Sequence, residues 1–384
     1  MYIPEEFNDM RPYNPDEIAG VVDELSQDPD FRAVVERTFP QPFEAIIQKA
    51  RSYTSLLELQ KNFSYKLMKD LMDKLTKGTD MDAGDLDRNG SYTFMSNHRD
   101  IVLDSGFLSK LLLDCGFRTT IEIAIGDNLL TIPWIHKIVR LNKAFIVKRS
   151  VHGREKLLAS MKLGSYIHFA INEKKENVWI AQRQGRAKDS DDRTQDSVLK
   201  MMAFGGEGTI IERLKSLNIV PLSISYEYDP CDFLKAKEMQ MRRDNPDYQK
   251  SKMEDVISMD TGIHGYKGHV HYQAAACING WLDSLDANLP KNDVISLTAE
   301  HIDQQIHSNY HLYAGNYIAY DMLNQTARFE ELYSQEEAEK FEAYLRGQIE
   351  KIDLESRDYD YLMKCLLNMY TNPLVNYLKA SGNN

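Results

Sequence analysis

The segment Ser96-Asn97-His98-Arg99-Asp100-Ile101-Val102-Leu103-Asp104 sets a histidine two residues before one aspartate and six before another. A histidine can remove a hydroxyl proton near neutral pH. A carboxylate beside it holds its tautomer and stabilises the imidazolium. Neighbours on one helix face are three or four residues apart, so His98 and Asp104 meet only if the chain turns between them. The junction between a strand and the next helix supplies such a turn. A histidine that merely caps a helix or binds a carbonyl has the same local sequence, and one His–Asp spacing does not separate the two readings.

Three further segments can contribute chemistry. Lys137, Arg140, Lys143, Lys148, Arg149, Arg154 and Lys156 fall in one stretch with Glu155 as the only acid, a local charge of +6. Such a stretch in an acidic chain invites a phosphate or an anionic surface. Lys148 and Arg149 end a predicted strand, where ligands of α/β sheets lie, and are the two expected to bind. Gln182-Arg183-Gln184-Gly185-Arg186 also ends a predicted strand. Its glycine lets the backbone approach a ligand, and its arginines can clamp phosphate oxygens. Val220-Pro221-Leu222-Ser223 reads as buried core. Two histidine pairs, His307 with His311 and His269 with His271, have spacings that suit two zinc ligands, but no third ligand can be named.

The elements around these segments form a pattern. Ile18, Val21, Val22 and Leu25, then Leu56, Leu59, Phe63, Leu67 and Leu71, repeat at helical spacing. The Asp- and Gly-rich stretch 76–90 reads as a linker. After it, strands are predicted at 91–97, 119–126, 144–150, 177–185 and 219–228, with helices near 103–116, 152–165 and 206–217. This alternation predicts an α/β fold with a mostly parallel or mixed central sheet flanked by helices. Residues 229–252 read as a charged excursion and 268–278 as a further strand. Residues 294–323, 335–352 and 357–380 read as helices. The expected division is an N-terminal helical region over 1–88, an α/β domain over 89–285 and a helical C-terminal extension over 286–384, packed on the α/β domain.

The 384 residues carry 46 Lys and Arg against 58 Asp and Glu, a net charge of −12. That argues against a nucleic-acid partner. Cys115, Cys231, Cys277 and Cys365 are far apart and fit a reducing compartment better than a disulfide framework. The acidic start MYIPEEFNDM has no apolar signal region, and no apolar run reaches membrane-spanning length. A cytoplasmic location is expected.

Taken in order, these segments resemble the glycerolipid acyltransferase superfamily, which includes glycerol-3-phosphate and 1-acylglycerol-3-phosphate acyltransferases. Asn97-His98-Arg99 resembles its first block. Gly126-Asp127-Asn128-Leu129 and Phe145-Ile146-Val147-Lys148-Arg149 resemble its second and the continuation of it. Gln184-Gly185-Arg186 stands where a Glu-Gly-x-Arg-Ser block is expected, and Ile219-Val220-Pro221 resembles the fourth. The resemblance covers about 90–230 and departs twice. The aspartate follows the histidine by six residues rather than five, so that either the turn absorbs one residue or Asp100 shares the role. Gln184 replaces a glutamate, and Arg186 follows the glycine directly.

The resemblance implies direct acyl transfer with no metal or organic cofactor. His98, oriented by Asp104, would be the base. The donor would be acyl-CoA or acyl-carrier protein, and the acceptor glycerol-3-phosphate or its monoacyl derivative. Lys148, Arg149, Arg183 and Arg186 would hold the acceptor phosphate, and Gly126 and Asn128 would shape its pocket. Asn97, Arg99, Gly185 and Pro221 complete the expected substrate-binding set. A lipidic product implies peripheral contact with an anionic membrane, for which the basic 137–156 stretch is the expected contact. Two other readings remain: an inactive acyltransferase-like module that holds lipid or carrier protein, and a metal-dependent hydrolase using the later histidines.

Overall fold

The computed structural model describes residues 2–382. A seven-stranded mixed sheet, in the order β1-β7-β6-β2-β5-β3-β4, is its centre. The strands are β1 (Gly78–Asp82), β2 (Thr93–Ser96), β3 (Ile121–Gly126), β4 (Ala144–Val147), β5 (Asn177–Ala181), β6 (Ile219–Tyr226) and β7 (His269–Ala274). Five strands run parallel, from β6 through β2, β5 and β3 to β4. Every residue of β2 and β6 is buried, as expected of parallel strands covered on both faces. β7 runs antiparallel to β6, and its side chains alternate between buried and half-buried.

The stretch read as a linker contains an edge strand. Gly78–Asp82 pairs in parallel with His269–Gln273 on the open side of β7. Its polar residues escape the sequence signal because an edge strand needs backbone pairing and only partial burial.

Helices cover both faces. The first helices are α1 (Ile18–Ser26), α2 (Pro29–Thr38), α3 (Phe43–Arg51), α4 (Leu56–Leu59) and α5 (Tyr65–Leu75). Between α4 and α5, Gln60–Ser64 forms a π-helical turn, so the single helix expected over 56–71 is interrupted. Gln60 is buried there and bonds Thr120 and the carbonyl of Asn142.

Strand connections are made by α6 (Leu103–Asp114), α7 (Pro133–Leu141), α8 (Gly153–Asn172), α9 (Asp196–Met202) and α10 (Ile210–Lys215). α10 starts later than expected. Gly206 and Gly208 have φ of 77° and 84°, and Thr209 with Glu212 forms the capping box that begins the helix.

The charged excursion is two helices, α11 (Asp232–Asp244) and α12 (Lys252–His264). Its charges are partly internal. Lys235 is buried against Asp229, and the Asp232 carboxylate accepts hydrogen bonds from Tyr344, Tyr370 and Gln348. After the short α13 (Asn279–Leu282) come α14 (Lys291–Ser308), α15 (Ala314–Asn324), α16 (Gln335–Glu350) and α17 (Tyr359–Ala380). The helix expected over 294–323 is two, because the chain unwinds at Asn309. There the Ser225 hydroxyl takes the backbone N–H of His311.

Candidate functional site

His98 follows the end of β2 at the carboxyl edge of the parallel sheet. Asn97 is buried before it and clamps β6 twice, accepting the N–H of Ile224 at 2.8 Å and donating to its carbonyl at 2.9 Å. The chain then turns through 99–102 into α6. The turn brings Asp104 Oδ2 to 2.7 Å from His98 Nδ1, and this oxygen also accepts the backbone N–H groups of Arg99 and Asp100. The six-residue spacing therefore fits. Asp100 does not share the contact, because its Oδ1 caps α6 through the N–H groups of Val102 and Leu103. Burial and the nearby Asp104 hold the Asp100 pKa above the ordinary carboxylate value.

A cavity of about 1220 Å³ lies beside His98. Residues at three strand termini line it. Gly126 ends β3 beside Val147 at the end of β4. A Cβ on Gly126 would lie 2.5 Å from Asn128 Oδ1 and 2.7 Å from Arg149 Nε, so only glycine lets these side chains converge. Arg183, Gly185 and Arg186 follow β5 and line the same space, with Gly185 at φ 73°. Arg183 Nε and Arg186 Nη1 are buried without a hydrogen-bond partner in the protein. Desolvation lowers the pKa of Arg149. Desolvation works against the charge of Arg186 as well, but Cys231, Asp229 and Asp100 outweigh it and raise the pKa.

Lys148 borders the cavity but pairs with Asp9 at 2.8 Å. Three expected substrate-binding residues lie outside the cavity lining and serve the frame instead. Asn97 is the β6 clamp. Arg99 is buried and forms a two-pronged pair with Asp192, at 3.2 and 2.7 Å. Pro221 is buried within β6 opposite Met95, and its carbonyl accepts the N–H of Ala275. All three are engaged by neighbouring backbone or charge within the frame.

Other contributors carry no local signal in the sequence. Trp179 packs edge-on against His98, with ring centroids 5.4 Å apart, and donates its N–H to Ser96 at 3.0 Å. Its place opposite Phe94 in the β2–β5 register is what brings it there. Lys188 lines the cavity, bonded to Glu238 of α11 at 2.6 Å, and burial lowers its pKa to about 8. Arg242 and Lys250, from the excursion, reach the same wall. The apolar part is lined by Val22, Phe31, Val35, Ile47 and Ala50 of the N-terminal helices and by Trp134 and Ile138 of α7.

Of the two histidine pairs, His269 with His271 forms, stacked at 6.5 Å between centroids, and His307 with His311 does not. His307 is buried at the end of α14 and bonds the Asp192 carbonyl at 2.8 Å. His311 lies beyond the helix and joins His269 and His271, with centroid separations of 5.5 and 5.0 Å. Asp80 of β1 bonds both strand histidines. Among the described residues no group of three or more His, Cys, Asp or Glu side chains is arranged to hold a metal ion.

No protein-family model and no curated protein matches the sequence. Among solved structures, the 1-acyl-sn-glycerophosphate (LPA) acyltransferase PlsC from Thermotoga maritima is similar with a TM-score of 0.36 and 10% identity. The match covers 76% of this chain and 97% of that one. No helix among the described residues is long and apolar enough to cross a membrane.

Proposed function

We propose that the protein transfers an acyl group from a thioester to a hydroxyl of a phosphorylated, glycerol-type acceptor. One observation carries the reading: a single cavity joins the His98–Asp104 pair, a cluster of under-bonded arginines and an apolar chamber. These are the three requirements for moving a fatty acyl chain onto a phosphate-bearing alcohol.

Asp104 holds Nδ1 of His98 as the protonated nitrogen, which leaves Nε2 as the base. The tautomer follows from the carboxylate, which can only accept while ionised. Nε2 takes the acceptor hydroxyl proton as the oxygen attacks the thioester carbonyl. The C–S bond breaks as the new C–O bond is completed, and the imidazolium returns the proton to the leaving thiolate. No acyl-enzyme is required. Arg149, Arg183 and Arg186 hold the acceptor phosphate, where charge-assisted hydrogen bonds satisfy nitrogens that otherwise stay unpaired. The chamber between α1–α3 and α7 takes the acyl chain. Acyl-CoA and acyl-carrier protein are the two donors of suitable chemistry.

The test offers glycerol-3-phosphate and lysophosphatidate, each with both donors, to the purified protein and to His98→Ala. Turnover that disappears in the variant supports the reading and names the acceptor. A folded wild-type protein that turns over no pair sinks it in favour of a lipid- or carrier-binding module.

A further inference from the structure

The two oxygens of Asp104 are served unequally. Oδ2 accepts from His98 Nδ1 and from the backbone N–H groups of Arg99 and Asp100. Oδ1 is buried without a hydrogen-bond partner. A buried carboxylate oxygen with no donor is costly while the group is ionised, and an ionised Asp104 is what the His98 contact needs.

A second buried polar atom lacks a partner, the hydroxyl of Tyr226. Tyr226 is the last residue of β6, and its ring lies in one apolar cluster with Leu103 and Phe107 of α6. Ile224 stands opposite Tyr272 of β7, so Tyr226, two residues on, is the diagonal neighbour of Tyr272 on the same face. Tyr272 shows what this face reaches, because its hydroxyl donates to the backbone carbonyl of Asp104 at 2.9 Å. Burial raises the Tyr226 pKa well above that of an ordinary phenol, and the charge of Asp104 raises it further. The phenol therefore keeps its proton beside a carboxylate oxygen that lacks a donor.

The other charged and titratable groups around Asp104 are already engaged. Asp100 caps α6 with Oδ1 and turns Oδ2 to Gly262 of α12. Lys267, just before β7, donates to the carbonyls of Gly262 and Gly265. The Arg99 guanidinium is paired with Asp192. The Tyr272 hydroxyl is the rival acceptor for Tyr226, but it is neutral, and a charged acceptor holds a donor about twice as strongly.

We propose that Tyr226 is a positioning residue of the His98–Asp104 pair, its hydroxyl donating a hydrogen bond to Asp104 Oδ1. The two atoms left unpaired in this structure then satisfy each other. With both oxygens held, the carboxylate neither rotates nor gives up its charge while His98 takes the acceptor proton. The inference rests on the proposed function in one respect, since it takes His98 as the base.

The test is Tyr226→Phe, which removes one oxygen from a buried ring. The unprotonated pair, with full carboxylate charge beside a neutral imidazole, gains most from the donor. Without it the pair takes its first proton at higher pH, whether that proton sits on His98 or on Asp104. The acidic limb of kcat/KM against pH should therefore move up by about half a pH unit or more. In nitrogen-labelled protein, the His98 ring resonances, assigned with His98→Ala, should change over the same higher range. Tyr272→Phe is the control for a merely structural role. It also loses a buried hydroxyl, so it should lower the melting temperature while both readouts stay at the wild-type pH. A folded Tyr226→Phe with both readouts unmoved overturns the proposal, as does a Tyr272→Phe that moves them equally. The resonances are read without turnover. A protein that turns over no acyl donor but shows the shift refutes the catalytic reading and leaves Tyr226 as the partner of Asp104.

Discussion

Trp179 meets His98 edge-on, at 70° between ring planes, while Nδ1 of the same imidazole bonds Asp104. Two contacts of different kinds thus hold one ring, a hydrogen bond to a carboxylate and an aromatic edge, and a ring held this firmly would need little reorganisation to act as the proposed base. His98→Ala is expected to lower kcat by roughly two orders of magnitude or more. Asp104→Asn should also lower it, because the amide can present a donor to Nδ1 and favour the wrong tautomer. Steady-state rates with circular dichroism as the folding check decide this. A folded, almost fully active His98→Ala rules the mechanism out.

Gly126→Ala tests the acceptor pocket. The new Cβ would displace the ends of the Asn128 and Arg149 side chains, which are flexible enough to move. The expected result is a higher acceptor KM with kcat and melting temperature little changed. A KM equal to wild type would remove Gly126 and Arg149 from the acceptor site.

Lys188 gives the site a pH dependence. Burial lowers its pKa to about 8, against the opposing pull of Glu238. Its charge is therefore present below that pH and lost as pH rises through it. Acceptor KM is expected to climb above pH 8, and Lys188→Arg should move the climb upward because arginine stays charged. Identical KM profiles for the two proteins would show that Lys188 does not attract the acceptor.

The apolar chamber should set chain length. Ala50 and Val35 face it from α3 and α2. Ala50→Phe fills part of the space, so competition among donors of graded chain length should shift toward shorter chains. An unchanged preference would place the acyl chain elsewhere.

The Arg99–Asp192 pair should matter for stability. Both side chains are buried, and Asp192 also accepts the Tyr310 hydroxyl at 2.6 Å. Arg99→Met leaves a buried carboxylate without its cation, and a loss of about 3–5 kcal/mol is expected in denaturant unfolding. A loss below about 1 kcal/mol, typical of an exposed pair, would contradict this account.

Much of the arrangement was legible in the amino-acid sequence. The strands from β2 to β6 and the helices between them announce themselves because burial on both faces demands unbroken apolar runs, and the turn residues bound them. His98, Gly126, Asn128, Arg149, Arg183 and Arg186 were placed by the sequence for a related reason. Each lies within a few residues of a strand end, so sequence proximity to the sheet edge already sets where it stands. Only the folded chain decided the rest. The sequence named Asp104 but left open whether Asp100 shares its role, and the turn into α6 points Asp100 back at the helix N–H groups. Asn97 and Arg99 stand beside His98 in sequence but face β6 and Asp192 in space, and Pro221 lies within β6 opposite Met95. Trp179 reaches His98, and Lys188 and the walls from α1–α3 reach the cavity beside it, only through pairings and packings far apart along the chain. Local side-chain pattern fixes which elements form, because it reports burial and hydrogen bonding within a few residues. It does not report which distant surfaces meet, and the cavity is made by those meetings.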